Sequence, residues 1–114
     1  MAAVYVTNLV INSGADFSQS FTLEGTDSNS ALNLTGYGVN AQFRKWSGSS
    51  TSVSFGTTIT SPPTSGQIYL TLSSQDTLPL KAGRYVYDIV VSDNYGVKTR
   101  VVEGMVLVRE GVTR

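Results

Sequence analysis

The amino-acid sequence predicts an all-β protein in which about seven or eight short antiparallel strands form a β-sandwich. The clearest evidence lies in residues 83–109, where Tyr85, Tyr87 and Ile89 recur at every second position, as in a strand with one or both faces covered. Turn-forming residues also recur at intervals of roughly eight to twelve residues, the spacing expected of a sandwich. A closed barrel is the alternative, because it also buries one face of each strand.

The first half of the chain contains four predicted strands. Alternating apolar and polar residues place them at positions 4–11, 17–23, 37–44 and 53–59. The last of these is rich in Thr and Ser, which is typical of a frayed or edge strand. Residues 32–36 are predicted to be a short extended segment or corner ahead of the third strand.

Two consecutive prolines then interrupt the sheet, since proline lacks the amide hydrogen that a β-ladder requires. The alternation resumes over residues 68–72, which form the next predicted strand. Residues 73–83 begin with helix N-cap residues and end in glycine. They allow one short helical turn, which Pro79 limits.

The remaining residues are predicted to form a β-hairpin. Its reversal at residues 93–96 contains Asp, Asn and Gly, and we expect Gly96 to adopt a positive φ there. The alternation along the whole chain also predicts which side chains form the core. These are Phe17, Phe21, Leu23, Val39, Phe43, Leu70, Leu72, Tyr87, Ile89 and Val101.

Composition limits the classes of protein that the chain can represent. Its 114 residues are predicted to form one domain, residues 1–114, with 40% hydrophobic and only 14% charged residues. Eight basic residues balance eight acidic ones, so no positive field favours nucleic acid or anionic lipid as a partner. No apolar stretch is long enough to cross a membrane, and the N-terminal residues lack the pattern of a secretory signal. The absence of cysteine excludes disulfides and thiolate chemistry.

Catalytic chemistry has few candidates. The chain has no histidine, so His-dependent triads are excluded and only carboxylates are left as acids or bases. Asp88 lies within the best-defined strand, and Glu103 is a candidate partner across the hairpin for a paired-carboxylate glycosidase site. The favoured interpretation is structural: Asp88 is partly exposed, or accepts hydrogen bonds from a hydroxyl group or an arginine. The sequence therefore predicts no enzyme, no metal and no cofactor.

The surface aromatic residues are a second candidate site. Trp46 and Tyr95 lie in predicted loops, where an exposed aromatic ring can stack against a sugar. Residues 27–30 are rich in oxygen atoms but lack the alternating acids of a calcium loop. A carbohydrate-binding or adhesive module is therefore an alternative function.

An ordered series of short motifs gives the chain a family resemblance. The motifs are Gly14-Ala-Asp-Phe17, Leu32-Asn-Leu-Thr-Gly-Tyr37, Gln42-Phe-Arg-Lys45, Gly66-Gln-Ile-Tyr-Leu70, Leu80-Lys-Ala-Gly-Arg-Tyr-Val-Tyr-Asp88, Glu103-Gly-Met-Val106 and Val112-Thr-Arg114. With them, nearly the whole chain resembles the small Ig-like structural domains of tailed bacteriophages. It is similar to the N-terminal domain type of baseplate upper proteins and to standalone virion proteins of cyanophages. Pro79 departs from the pattern of that family at the helical turn.

The resemblance implies an Ig-like sandwich that serves as a non-enzymatic building block of a virion. The expected partners are other virion proteins and copies of the same chain, with assembly in the host cytoplasm. Capsid, neck, tail and baseplate all stay open as positions in the particle. We further expect a short C-terminal arm beyond the last strand, with Arg109 and Arg114 pairing to carboxylates of a neighbouring subunit.

Overall fold

The computed structural model describes residues 5–23, 33–50, 52–61 and 63–111 of the chain. Within these ranges, nine strands form a six-stranded sheet and a three-stranded sheet. The elements are β1 Tyr5–Val6, β2 Leu9–Asn12, β3 Phe17–Thr22, β4 Gly38–Arg44, β5 Val53–Ser54, β6 Gly56–Ile59, β7 Gln67–Leu72, α1 Ser74–Thr77, β8 Gly83–Ser92 and β9 Lys98–Arg109, with a 3₁₀ turn at Pro63–Ser65.

The two sheets confirm the prediction of a β-sandwich and exclude the barrel. The small sheet has the order β3-β7-β6, and the large sheet has the order β1-β9-β8-β4-β5 with β2 also paired to β9. This arrangement corresponds to the B-E-D and G-F-C sheets of an Ig-like sandwich. All pairs are antiparallel except at one edge, where β1 and β2 run parallel to β9.

A tyrosine near the start of β8 reproduces a second Ig-like feature. The hydroxyl of Tyr85 donates a hydrogen bond to the backbone carbonyl of Lys81, 2.8 Å away. A tyrosine at this corner that bonds back to the backbone is a hallmark of Ig-like sandwiches. Antibody domains have a disulfide cysteine two residues later, where this chain has Tyr87, which is 4% exposed. A buried aromatic side chain therefore occupies that core position.

The core lies between the sheets and agrees with the predicted set. Phe17, Phe21 and Val39 are partly buried against it, and the other predicted core residues are buried. Leu34 and Phe55, which the sequence pattern did not single out as core residues, are 1% and 5% exposed. The ring of Phe55 packs on that of Phe43 with a centroid distance of 5.1 Å.

The strand predicted at residues 53–59 is wrong as a single element. The chain changes sheets at Phe55, so that β5 pairs with β4 in the large sheet and β6 pairs with β7 in the small one. Phe55 fixes this crossing because its ring is buried and its amide donates to the carbonyl of Ala41 at 3.0 Å. The next residue is Gly56, and glycine fits there because a Cβ would come within 2.6 Å of the hydroxyl of Thr71.

The two predicted local features, the helical turn and the glycine-dependent reversal, are both confirmed. Helix α1 is one turn long, and Ser73 and Asp76 form a reciprocal capping box at its start. Gly96 has a φ of +81° in the reversal between β8 and β9. The carboxylate of Asp93 stabilises that reversal by accepting hydrogen bonds from the amides of Tyr95 and Val97.

Candidate functional site

The outward surface of the large sheet carries a group of exposed apolar side chains, which we call the outer apolar face. It consists of Val6, Val10, Val86, Met105 and Leu107, with exposed fractions of 77%, 49%, 37%, 41% and 42%. The strand register makes them neighbours, since Met105 lies opposite Val86 and Leu107 lies opposite Val10. The central hairpin thus carries apolar side chains on both of its faces, and among the described residues the second sheet covers the inner face.

The edge of this face depends on a break in the first predicted strand. Between β1 and β2, the amide of Thr7 donates to the carbonyl of Glu103 at 3.0 Å. The side-chain oxygen of Asn8 accepts a hydrogen bond from the amide of Met105 at 3.1 Å. Asn8 thereby replaces a backbone partner, and the chain continues as β2 along the same edge of β9.

Gly104 and Tyr87 hold this break against the sheet. A Cβ on Gly104 would overlap the carbonyl oxygen of Thr7, so the close approach of the two strands requires glycine. From the core side, the hydroxyl of Tyr87 donates to the same carbonyl at 2.5 Å. Burial raises the pKa of Tyr87 to about 12.

Charged and amide side chains form ion pairs and hydrogen bonds beside the outer apolar face. Arg100 forms an ion pair with Asp88, with 3.2 Å between the guanidinium Nε and a carboxylate oxygen. Arg44 donates to the side-chain oxygen of Gln42 at 3.1 Å and also to the backbone carbonyl of Ser49. These contacts hold two guanidinium groups along the surface of the sheet.

Trp46 and Tyr95, the two predicted surface aromatics, are exposed but lie far apart. Trp46 is 62% exposed and borders a groove of about 680 Å³ on the outward surface of the large sheet. Tyr95 is 92% exposed in the β8–β9 reversal. The register places that reversal beside Gly38, whereas Trp46 follows Arg44 at the opposite end of β4. A strand of this length spans about 20 Å, so the two rings do not form one site.

Arg109 differs from its predicted position in a C-terminal arm. It is the last residue of β9 and lies opposite Asn12. Its carbonyl accepts a hydrogen bond from the amide of Ser13 at 2.8 Å, which fixes its backbone within the fold. Arg109 is therefore part of the last strand and not of an arm, and the other predicted arm residue, Arg114, lies outside the described residues.

Asp88 and Glu103 lie opposite each other on β8 and β9, as the carboxylate-pair hypothesis requires. The structural interpretation of Asp88 is confirmed, because its side chain is 38% exposed and is paired with Arg100. The glycosidase role stays a hypothesis. Over the described ranges, no group of three or more side chains is arranged to hold a metal ion. The same part of the chain contains no helix long and apolar enough to cross a membrane.

Comparisons with known proteins identify no family. No protein-family model matches the chain, and no curated protein matches its sequence. Among solved structures, it is similar to an internalin-like protein of Listeria monocytogenes, with 14% identity and a TM-score of 0.45. The match covers 95% of this chain and 28% of that protein.

The outer apolar face is the feature that the sequence-based search for a site did not identify. Its signal was present in β8, where Val86 lies between the inward-facing Tyr85 and Tyr87. A strand that is apolar on both faces indicates that both are covered. The alternation alone does not show which of the two faces packs on the second sheet.

Proposed function

We propose that this chain is a non-enzymatic structural protein of a bacteriophage particle. It serves as a repeated building block of the neck, tail, baseplate or capsid surface, assembled in the host cytoplasm. The phage assignment is supported by the ordered motifs of the sequence, from Gly14-Ala-Asp-Phe17 to Val112-Thr-Arg114. The role as a building block is supported by the outer apolar face.

The outer apolar face carries this proposal because its exposed apolar side chains are neighbours on one sheet surface. Single exposed apolar residues are common, but a contiguous group marks a surface that binds another molecule. Here Val86 and Met105 are opposite each other on the two longest strands, with Leu107 and Val10 in the adjoining row. A β-sheet also presents these side chains on a rigid support, which suits a part that is assembled in many copies.

Detection of the protein in purified particles tests the proposal. Antibodies raised against the isolated chain should label intact virions at repeated positions in electron micrographs. Mass spectrometry of the same particles should recover its peptides in a fixed ratio to the major capsid protein. Particles that lack the protein, or that lose it completely on a gentle density gradient, would contradict a structural role.

A second candidate function is glycan binding at the groove beside Trp46. An exposed tryptophan next to hydrogen-bonding groups is a common arrangement for stacking and orienting a sugar ring. Here the groove is also lined by Gln42, Asp88 and Arg100. Glycan-array binding that disappears in Trp46→Ala but persists in Tyr95→Ala would support this function. Absence of binding on such arrays would count against it.

A further inference from the structure

We propose that the outer apolar face binds the same face of a second copy of this chain. The two copies are related by a two-fold axis that lies in the interface. This axis runs along the row formed by Val86 and Met105, at right angles to the strands. This inference rests on the proposed function, because it identifies the partner of the surface on which that function depends.

The strand register defines three rows of outward side chains across the central hairpin. The middle row is Met105 and Val86, continued on β4 by Arg44, and the flanking rows are Leu107 with Arg84 and Glu103 with Asp88. On the neighbouring edge, Val10 extends the first flanking row and Val6 the second. Rotation by 180° about an axis along the middle row exchanges the two flanking rows. Val86 and Met105 of one copy therefore stack on their equivalents in the other.

Charge complementarity favours this axis over the alternative. When the flanking rows are exchanged, Arg84 of each copy faces the row that contains Asp88 and Glu103 of the other. Two equivalent sets of opposite charges then flank the apolar centre, and they offset the approach of Arg44 to its own equivalent at the β4 end of the middle row. An axis parallel to the strands would instead place Asp88 of one copy over Glu103 of the other, which is repulsive.

The dimensions of the surface are compatible with a weak dimer. The four strands β2, β9, β8 and β4 are together about 19 Å wide, and a length of about nine residues along the central strands β8 and β9 is near 30 Å. The outward surface of the large sheet therefore offers at most roughly 600 Å² in projection, at the low end for a stable interface of about 800 Å² per partner. The chain has no net charge, so no overall repulsion opposes association of identical copies.

Sedimentation equilibrium of the complete chain, from about 10 µM to about 1 mM, measures this association. We expect a reversible monomer–dimer equilibrium that Met105→Glu weakens by on the order of tenfold or more, because the substitution enters the interface twice. Arg84→Glu should weaken it as well. The matched control is Tyr69→Glu, since Tyr69 is 44% exposed on the outward surface of the small sheet. Thermal unfolding of each variant establishes that it is folded.

Chemical crosslinking tests the position of the axis. The chain has no cysteine, so single cysteines can be introduced without background. Val86→Cys should crosslink to itself with a bis-maleimide that spans about 10 Å, the spacing of packed sheets. Val6→Cys and Val10→Cys should crosslink more efficiently when mixed than either does alone. Tyr69→Cys is the control.

Three results would overturn the inference. They are a monomer at every concentration, a dimer that Tyr69→Glu weakens as much as Met105→Glu does, and Val86→Cys crosslinking no greater than that of Tyr69→Cys. Particle labelling separates this inference from the proposed function. A monomeric protein found in particles rejects the dimer alone, and a dimer absent from particles rejects the phage role alone.

Discussion

The hydroxyl of Tyr87 donates a hydrogen bond to the backbone carbonyl of Thr7 across 80 residues of sequence, with an oxygen–oxygen distance of 2.5 Å. Tyr87 is 4% exposed and lies on β8, whereas Thr7 lies in the break between β1 and β2. The bond therefore joins the core to the edge of the sheet, next to Val6 of the outer apolar face.

Tyr87→Phe should destabilise the fold by about 1–2 kcal/mol, because it removes a hydrogen bond and leaves the carbonyl of Thr7 without that donor. The measurement is urea unfolding followed by circular dichroism. Tyr95→Phe is the matched control. Tyr95 is 92% exposed, so removing its hydroxyl group should change the stability little. Equal stability of wild type and Tyr87→Phe would show that the bond contributes nothing.

The stability of the wild type should also fall at high pH through Tyr87. Burial raises the pKa of its hydroxyl from 10.0 in the unfolded chain to about 12 in the folded one. Well below pH 10 the Tyr87 hydroxyl keeps its proton in both the folded and the unfolded chain, so its full contribution to the stability of the fold is present. Between pH 10 and 12 the unfolded chain loses the proton first, so unfolding becomes more favourable by about 2 kcal/mol.

Comparison with Tyr87→Phe isolates this effect, because the other tyrosines titrate in both proteins. The stability advantage of the wild type at pH 8 should shrink steadily as the pH rises above 10. A constant difference between the two proteins from pH 8 to 11.5 would exclude Tyr87 as the titrating group.

Gly104→Ala should destabilise the fold, although alanine is usually more stable than glycine within a strand. The new methyl group would overlap the carbonyl oxygen of Thr7, so β1 must move away from β9 or the sheet must distort. We expect a loss of about 1–3 kcal/mol. Gly38→Ala is the control, because no atom lies within 4 Å of a Cβ at that position. Similar stabilities for the two variants would mean that the edge strand adapts freely.

The strands of this fold could be predicted because their determinants are local. Alternation and turn residues predicted β3, β4, β7 and the β8–β9 hairpin. The division of residues 53–59 could not be predicted, because it depends on where the ring of Phe55 meets the core. The break at Thr7 likewise depends on Gly104 and Tyr87, which are distant in sequence and adjacent only in the folded sheet.

The candidate site was predicted less well than the fold for a related reason. Trp46 and Tyr95 were correctly expected at the surface, but sequence does not show that β4 separates them. The outer apolar face includes Val86, which fits the sequence pattern of a core residue. The position of the second sheet shows that its side chain points outward. Periodicity assigns a residue to a face, and only the tertiary structure shows which face is covered.

Gly96 should tolerate asparagine better than valine. Its φ of +81° is unfavourable for residues with a side chain, at about 1–2 kcal/mol for ordinary residues, and asparagine is among the least affected. Nothing lies within 4 Å of a Cβ at this position, so the difference reports backbone conformation and not crowding. Urea unfolding of both variants measures it. Equal stabilities would contradict the role assigned to the positive φ.

Deleting residues 112–114 should separate folding from assembly. The deletion keeps all of β9, including the bond from the amide of Ser13 to the carbonyl of Arg109, so thermal unfolding should be nearly unchanged. If Arg114 contacts a neighbouring subunit, as proposed, incorporation into particles should fall. Arg114→Ala distinguishes loss of the charge from loss of the chain segment. Normal incorporation of the truncated protein would exclude an arm contact and leave the outer apolar face as the assembly surface to test with Met105→Glu.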